Sequence, residues 1–380
     1  MKKKILFLTE RRADYSKLRP VIKAFKESEK FDYYLVVTGS HLLKKYGHTI
    51  GEIKKDGFKI HKKFNMFYNN EEDDPSTMTI AFGRAIFNLT KIIKSLKPDI
   101  VFTGFDIGGN FAAAIVGAHM NIHVAHLEGG EVTGTIDESI RHAISKFSHI
   151  HFTSNKEATK RLVRMGENPK NIFTVGNPSL DAIKSTKFIA REELEKEFKI
   201  DLKKPFLLVV QHTVTTEIGD IDKYFVHTIK AIKEIGIQSI IIAGNIDAGS
   251  QKIKRIIESS KINYYEHLQF EKYISLLHYS SVIIGNSSSG IMEAPFLRVP
   301  SVSIGTRQEG RIKAKSIINV GYDKEQIKRA IRKAITNKKF LASIRKQKNM
   351  YGDGTAAKRI VDVLEKLDLK KIPIQKKLVY

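Results

Sequence analysis

From its first residues the chain alternates short, continuous apolar runs with segments of helical period. KILFLT (residues 4–9) reads as a strand, and a helix from about Asp14 follows, placing Tyr15, Leu18, Val21, Ile22 and Phe25 on one face. Further strands are predicted at 33–39, 98–105, 122–128, 149–154 and 171–176, with helices over 110–120 and 156–166 between them. Continuous apolar strands separated by helices specify a parallel sheet covered on both faces.

After Asn177-Pro178 the pattern restarts. Strands are predicted at 206–212, 239–245, 262–267, 281–288 and 300–305, and helices at 221–236, 249–260 and 269–279. The fold class read from this is α/β, with two Rossmann-like, doubly wound domains facing across a cleft. The boundary falls in the polar, lysine-rich stretch 176–205. This gives an N-terminal domain over 1–176, a C-terminal domain over 177–355, a terminal helix over 356–367 and a loosely held tail over 368–380. In such sheets ligands bind outside the carboxyl ends of the strands, so the loops after each strand are where chemistry is to be sought.

Composition narrows the function classes. The 380 residues carry a net charge of +24, with no cysteine and no tryptophan. Without cysteine there are no disulfides, thiolate metal sites or cysteine nucleophiles. No run approaches the roughly 18–20 apolar residues of a membrane span, so a cytoplasmic protein without a membrane partner is expected. The positive charge would suit a polyanion, but lysines recur beside glutamates, as in REELEKEFK (191–199) and DKEQIKRAIRKAI (323–335). That is the pattern of solvated helix faces, and no nucleic-acid partner is expected.

The strand-end rule selects a short set of chemical groups. The first strand is followed by Arg11, Arg12 and Asp14, with Lys17 one turn further on. Asp106 follows the strand at 98–105, and Glu128 closes the next strand ahead of Gly129, Gly130 and Glu131. Asp137 or Glu138 begins a helix that carries Arg141 and His142. In the second half His212, Asn245 with Asp247, and the turn Asn286-Ser-Ser-Ser-Gly290 close successive strands. The Ser/Gly turn opens a helix and offers backbone N–H groups to a diphosphate, or is a plain cap made by Ser288 or Ser289. Asp106, Glu128 and Asp137 would converge and raise one another's pKa, as proton transfer near neutral pH requires. Their structural alternatives are a first-turn acid for Asp137 and an ion pair with Arg141 or Lys17 for Glu128. A Walker loop, a G-x-G-x-x-G after a strand and a G-x-S-x-G elbow are all absent. His149 and His151 read as a buried pair in a sheet rather than a metal site.

Taken together, HLEGGEVTGTIDESIRHAISKFSHIHF, the amino-terminal T-x-x-R-A-D-Y-x-x-L with Lys17, GNSSSGIMEAPFLRVPSVSIGTRQEGR and YGDGTAAKRIVDVL resemble the hydrolysing UDP-N-acetylglucosamine 2-epimerases of bacterial sialic-acid and legionaminic-acid pathways. The resemblance runs in order from residue 3 to about 366. It implies a GT-B-like fold with the nucleotide on the second domain, the sugar between the domains, and a last helix crossing back to the first. The implied reaction turns UDP-N-acetylglucosamine into N-acetylmannosamine and UDP through a 2-acetamidoglucal, in a cytoplasmic homodimer. It needs no cofactor and no metal, since elimination and hydration involve no net redox change. By position, Asp106, Glu128 and Asp137 match the family's essential acids, the C2 base being one of the three. Arg12 and Lys17 match the basic pair reaching the nucleotide, and His212 the histidine after the second domain's first strand. Ser287 and Ser288 match the diphosphate turn, Glu293 the acid on the ribose hydroxyls, and Arg311 the arginine on the diphosphate side.

The chain departs from the family's pattern in two places. Glu10-Arg11 stands where relatives have Gly-Thr, and Phe105-Asp106-Ile107-Gly108-Gly109 stands where they read Gly-Asp-Arg with a following Glu. These loops would touch the sugar, so a UDP- or GDP-linked 2,4-diacetamido-2,4,6-trideoxyhexose is the alternative substrate. A GT-B glycosyltransferase is a further alternative on the same fold.

Overall fold

In the computed structural model, which describes residues 2–44, 48–72, 74–243, 250–266 and 268–379, the alternation becomes two parallel-sheet units. Unit 1 is formed by Met1–Glu131, Ile136–Lys184 and Tyr351–Tyr380, and unit 2 by Val132–Thr135 and Ser185–Met350. Among the described residues no helix is long and apolar enough to cross a membrane.

The strands of unit 1 are β1 (Lys3–Thr9), β2 (Phe31–Val37), β3 (Lys62–Lys63), β4 (Ile100–Gly104), β5 (His123–Leu127), β6 (Ile150–Thr153) and β7 (Ile172–Thr174). All pair in parallel, in the order β3-β2-β1-β4-β5-β6-β7. Successive residues of β1 face opposite sides. Ile5 and Phe7 join the core under helices Arg12–Glu27 and Ala356–Lys366, while Leu6 and Leu8 join the core under Pro75–Leu96 and Gly108–His119. A strand buried on both faces must be apolar throughout, which is why KILFLT shows no alternation. Phe7 is the hinge of the first core, 4.9 Å from Phe102 and 5.4 Å from Phe25 between ring centroids. Each such fully buried ring contributes roughly 1.5–3 kcal/mol.

The strand order reverses direction between β1 and β4. A doubly wound sheet opens a crevice at that switch, where loops leave in opposite directions. The loops after β1 and β4 carry Glu10, Arg11 and Asp106.

Unit 2 repeats the arrangement with β8 (Phe206–Val210), β9 (Gln238–Ile242), β10 (Asn263–Tyr265), β11 (Val282–Gly285), β12 (Ser301–Ile304) and β13 (Ile317–Val320), in the order β10-β9-β8-β11-β12-β13. Its switch lies between β8 and β11, and it sets His212 beside Asn286. Leu207, Val209, Ile241, Ile284 and Val302 form the sheet side of a core closed by Phe225, Ile229, Ile232 and Ile331.

Two strands and one long helix escaped the periodicity analysis. β3 is a two-residue edge and β13 is only partly buried, so neither shows an apolar run. Helix Pro75–Leu96 had signals that were there to be read: Asp74 accepts the Thr77 N–H, Pro75 follows it, and Ala81, Ala85, Leu89 and Ile92 make the buried stripe.

The segment expected to be loosely held is tied down. His123 Nε2 lies 2.8 Å from the Ile372 carbonyl, His149 Nε2 lies 3.0 Å from that of Ile374, and Val379 N–H donates to Gly166 O. Lys376 reaches the fully buried Glu167, which His151 (3.0 Å) and Lys146 (3.2 Å) also contact. The two histidines of the 149–151 strand therefore have structural partners. Burial lowers the pKa of His149 to about 4.

Burial alone would raise the Glu167 carboxyl, but its bonds to His151 and Lys376 prevail and hold it at about 2. A depressed carboxylate stabilises the fold above its unfolded pKa and stops doing so as pH falls through the folded value. Glu167 thus contributes roughly 3 kcal/mol at neutral pH, lost between about pH 4.5 and 2. Urea unfolding of Glu167→Gln should show that loss at pH 7 and a flatter pH dependence across the acid window. Equal stability of the two proteins at pH 7 would contradict it.

Candidate active site

At the carboxyl ends of β4 and β5 the backbone turns through the left-handed region at two residues that are not glycine, Phe105 (φ 68°) and Glu128 (φ 63°). That conformation costs on the order of 1–3 kcal/mol per residue and persists only where surroundings enforce it. Here the sheet enforces it: Phe105 N–H donates to Leu127 O (3.1 Å), and Glu128 N–H to Phe152 O (2.9 Å). The turns present Asp106 and the Glu128 side chain at the sheet's edge.

Each of these acids meets cations. Lys17 Nζ lies 2.8 and 3.1 Å from the two Glu128 oxygens, and Asn177 Nδ2 donates to Oε1 at 2.6 Å. Lys17 also sits 5.0 Å from the Phe105 ring centroid. Asp106 pairs with the buried guanidinium of Arg141 and has Arg11 at 3.8 Å. The ion pair foreseen for Glu128 with Arg141 or Lys17 is thus made by Lys17, and Arg141 takes Asp106. Asp106 and Glu128 thus each stand in an acid–cation pair.

Arg141 is 1% exposed on the helix Asp137–Phe147. Burial would lower its pKa, yet Asp106 first, then Glu128, Glu131 and Asp137 outweigh that and raise it. Asp137, the first residue of its helix and half-buried, belongs to this field and also sits as a first-turn acid at the positive helix end. Glu131 is buried and accepts from Asn155 Nδ2 at 2.5 Å. Beneath Phe105 lies His126, fully buried with a strongly lowered pKa, its ring nitrogens near Ser145 Oγ and the Phe105 carbonyl.

The loop after β1 completes this edge. Asp14 accepts the N–H groups of Glu10 (2.9 Å) and Arg11 (2.8 Å), and burial raises its pKa to about 6. Arg12 opens the helix Arg12–Glu27, half-exposed.

In unit 2 the centre is Asn286. Its amide exchanges two hydrogen bonds with the His212 backbone, 2.7 Å from N–H to Oδ1 and 2.9 Å from Nδ2 to the carbonyl. Its own carbonyl accepts from Arg307 (3.2 Å) and Gln308 (2.8 Å). Beyond it, Ser287 Oγ accepts the Ser289 N–H, so the capping residue is Ser287 rather than Ser288 or Ser289. The helix expected after this turn is shorter than foreseen: a 3-10 turn at Ser288–Gly290, then Glu293–Phe296, which the buried Glu293 begins. Arg311 is buried and donates from Nε to Val132 O at 2.8 Å. Glu217 ties the loop after β8 to Thr306 (2.6 Å) and Tyr322 (2.5 Å). Asn245 and Asp247 lie outside the described residues.

Sequence reasoning missed Asn177 as a partner of Glu128, and did not assign Arg141 to Asp106. Asn177 was visible only as a domain-boundary Asn-Pro, and Arg141 was considered only as a partner of Glu128.

Residues 23–365 match the UDP-N-acetylglucosamine 2-epimerase family. The chain belongs to that family. A UDP-N,N'-diacetylbacillosamine 2-epimerase (hydrolyzing) of Legionella pneumophila is 36% identical over 373 residues, 97% of each chain. A UDP-N-acetylglucosamine 2-epimerase of Neisseria meningitidis serogroup B is 33% identical over 99% of each. Among solved structures, a UDP-GlcNAc 2-epimerase from Neisseria meningitidis bound to UDP-GlcNAc superposes with a TM-score of 0.83 at 21% identity, covering 96% of this chain and all of that one. The GT-B-like fold of two parallel-sheet domains is thus shared. In this epimerase-family chain the acids Asp106 and Glu128 and their cations sit at the sheet edge of unit 1, and the Ser/Gly turn at that of unit 2.

Removing one partner of a buried ion pair leaves an uncompensated charge, at about 3–5 kcal/mol. Arg141→Met should lose a comparable amount in urea unfolding, and a loss below about 1 kcal/mol would contradict the pairing with Asp106.

Proposed function

We propose that the chain is a hydrolysing nucleotide-sugar 2-epimerase that converts UDP-N-acetylglucosamine to N-acetylmannosamine and UDP. The observation that carries the reading is the pair of acids Asp106 and Glu128, each presented by an enforced left-handed turn and each held by a cation at a doubly wound sheet's carboxyl edge. Membership of the epimerase family, with a hydrolysing enzyme among its relatives, supports it.

In this reading a carboxylate of the set Asp106, Glu128 and Asp137 takes the C2 proton. The C1–O bond to UDP breaks with its electrons going to the diphosphate, and a C1=C2 glycal results. Water then adds its oxygen to C1, and a proton returns to C2 from the opposite face. Lys17 and Arg12 stabilise charge developing on UDP. His212, Ser287, Ser288 and Arg311 hold the diphosphate, and Glu293 holds the ribose hydroxyls. Paired cations give the acids a fixed direction, so no reorganisation is needed at the moment of transfer. We further infer a cytoplasmic homodimer supplying nonulosonic acid synthesis.

The same chemistry on a UDP- or GDP-linked 2,4-diacetamido-2,4,6-trideoxyhexose is the second reading. It is favoured by the 36% identical Legionella relative, whose name carries a diacetamido sugar, and by this chain's departures beside Asp106.

Release of UDP or GDP from the three nucleotide sugars, followed by anion-exchange chromatography, separates the readings. The best substrate should be cleaved without any sugar acceptor, and Asp106→Asn and Glu128→Gln should each lower turnover by about 100-fold or more while the protein stays folded and still binds UDP. Cleavage that depends on an added acceptor would point to a glycosyltransferase. Full activity in both variants would overturn the roles given to the acids.

A further inference from the structure

The loops after β1 and β4 are joined by a contact that no part of the reaction scheme uses. Glu10, 4% exposed, places Oε2 2.7 Å from the N–H of Gly109 in the first turn of helix Gly108–His119. Room for this carboxylate exists because two facing residues lack a Cβ. A Cβ on Gly109 would lie 2.8 Å from Glu10 Oε2, and one on Gly39, at φ +62°, would lie 2.3 Å from Glu10 Cγ. Ser40 Oγ donates to the Glu10 carbonyl, and Asp14 accepts the N–H groups of Glu10 and Arg11, so the backbone of the pair is fixed. The neighbouring Arg11 reaches Asp106, three residues before Gly109.

Asp106 is followed by Ile107, Gly108 and Gly109, so the residues directly after it in the loop after β4 add no charged side chain. We propose that Glu10 and Arg11, from the end of β1, are the positioning residues of Asp106. The carboxylate fixes the N-terminal turn of helix Gly108–His119 at the positive end of its dipole, and the guanidinium faces Asp106 Oδ1 while Arg141 takes Oδ2.

This rests on the epimerase reading, and the test separates the two. Glu10→Ala/Arg11→Ala should lower kcat by about 100-fold, the cost of a misplaced reacting group, with KM changed less than about threefold. Glu10→Gln/Arg11→Lys should keep kcat within about tenfold of the parent, because an amide oxygen still accepts the Gly109 N–H and an ammonium still faces Asp106. An alanine double variant with parental kcat, or a conservative double variant no faster than the alanine one, would overturn the proposal. Amide hydrogen exchange of Gly109 reads the contact without reference to turnover. Protection lost in Glu10→Ala and kept in Glu10→Gln is expected, and equal exchange in all three proteins would also overturn it. A parent protein silent on every nucleotide sugar, with Gly109 protected as described, would count against the epimerase reading and leave the contact standing.

Discussion

Arg141 is a guanidinium almost wholly removed from water, and a buried cation survives only where anions and hydrogen-bond acceptors replace the lost solvent. Four acids act on it: Asp106 directly, and Glu128, Glu131 and Asp137 through the field. Those acids come from the loops after β4 and β5 and from the start of the helix that carries Arg141 itself. One charge therefore holds together three successive segments of unit 1. Glu128 in turn draws Lys17 from the first helix and Asn177 from the end of unit 1's sheet. The left-handed turns at Phe105 and Glu128 are tolerable because this network and the β-ladder bonds leave the backbone no cheaper route.

The arrangement gives Asp106 and Glu128 different cations, Arg141 with Arg11 for the first and Lys17 for the second. Two carboxylates each held by its own cation keep separate directions, and on the proposed function that separation suits an elimination followed by a hydration.

The core of both sheets could be read from apolar runs, because a strand buried on both faces leaves an unbroken signature. KILFLT and FLLVVQ are such strands, and the face of helix Arg12–Glu27 followed from its period. Edge strands could not be read in the same way: Lys62–Lys63 is exposed and Ile317–Val320 only half-covered, so neither needs an apolar sequence. The tail from 368 onward looked loose since its lysines suggest solvent. What fixes it is a buried glutamate at 167, whose partners are far away in sequence. The same limit applies to the acids. Asp106, Glu128 and Lys17 were marked by their positions at strand ends, whereas the choice of Lys17 over Arg141 for Glu128 depends on how far each helix is rotated about its axis, and spacing alone does not encode that.

The most direct test of the account is proton NMR of the purified protein acting on its nucleotide sugar in D2O. Elimination and rehydration at C2 predict a free sugar inverted at C2 that carries deuterium there, appearing together with the free nucleoside diphosphate. A released sugar that keeps its C2 proton and configuration would contradict the account, because then no carboxylate has removed that proton.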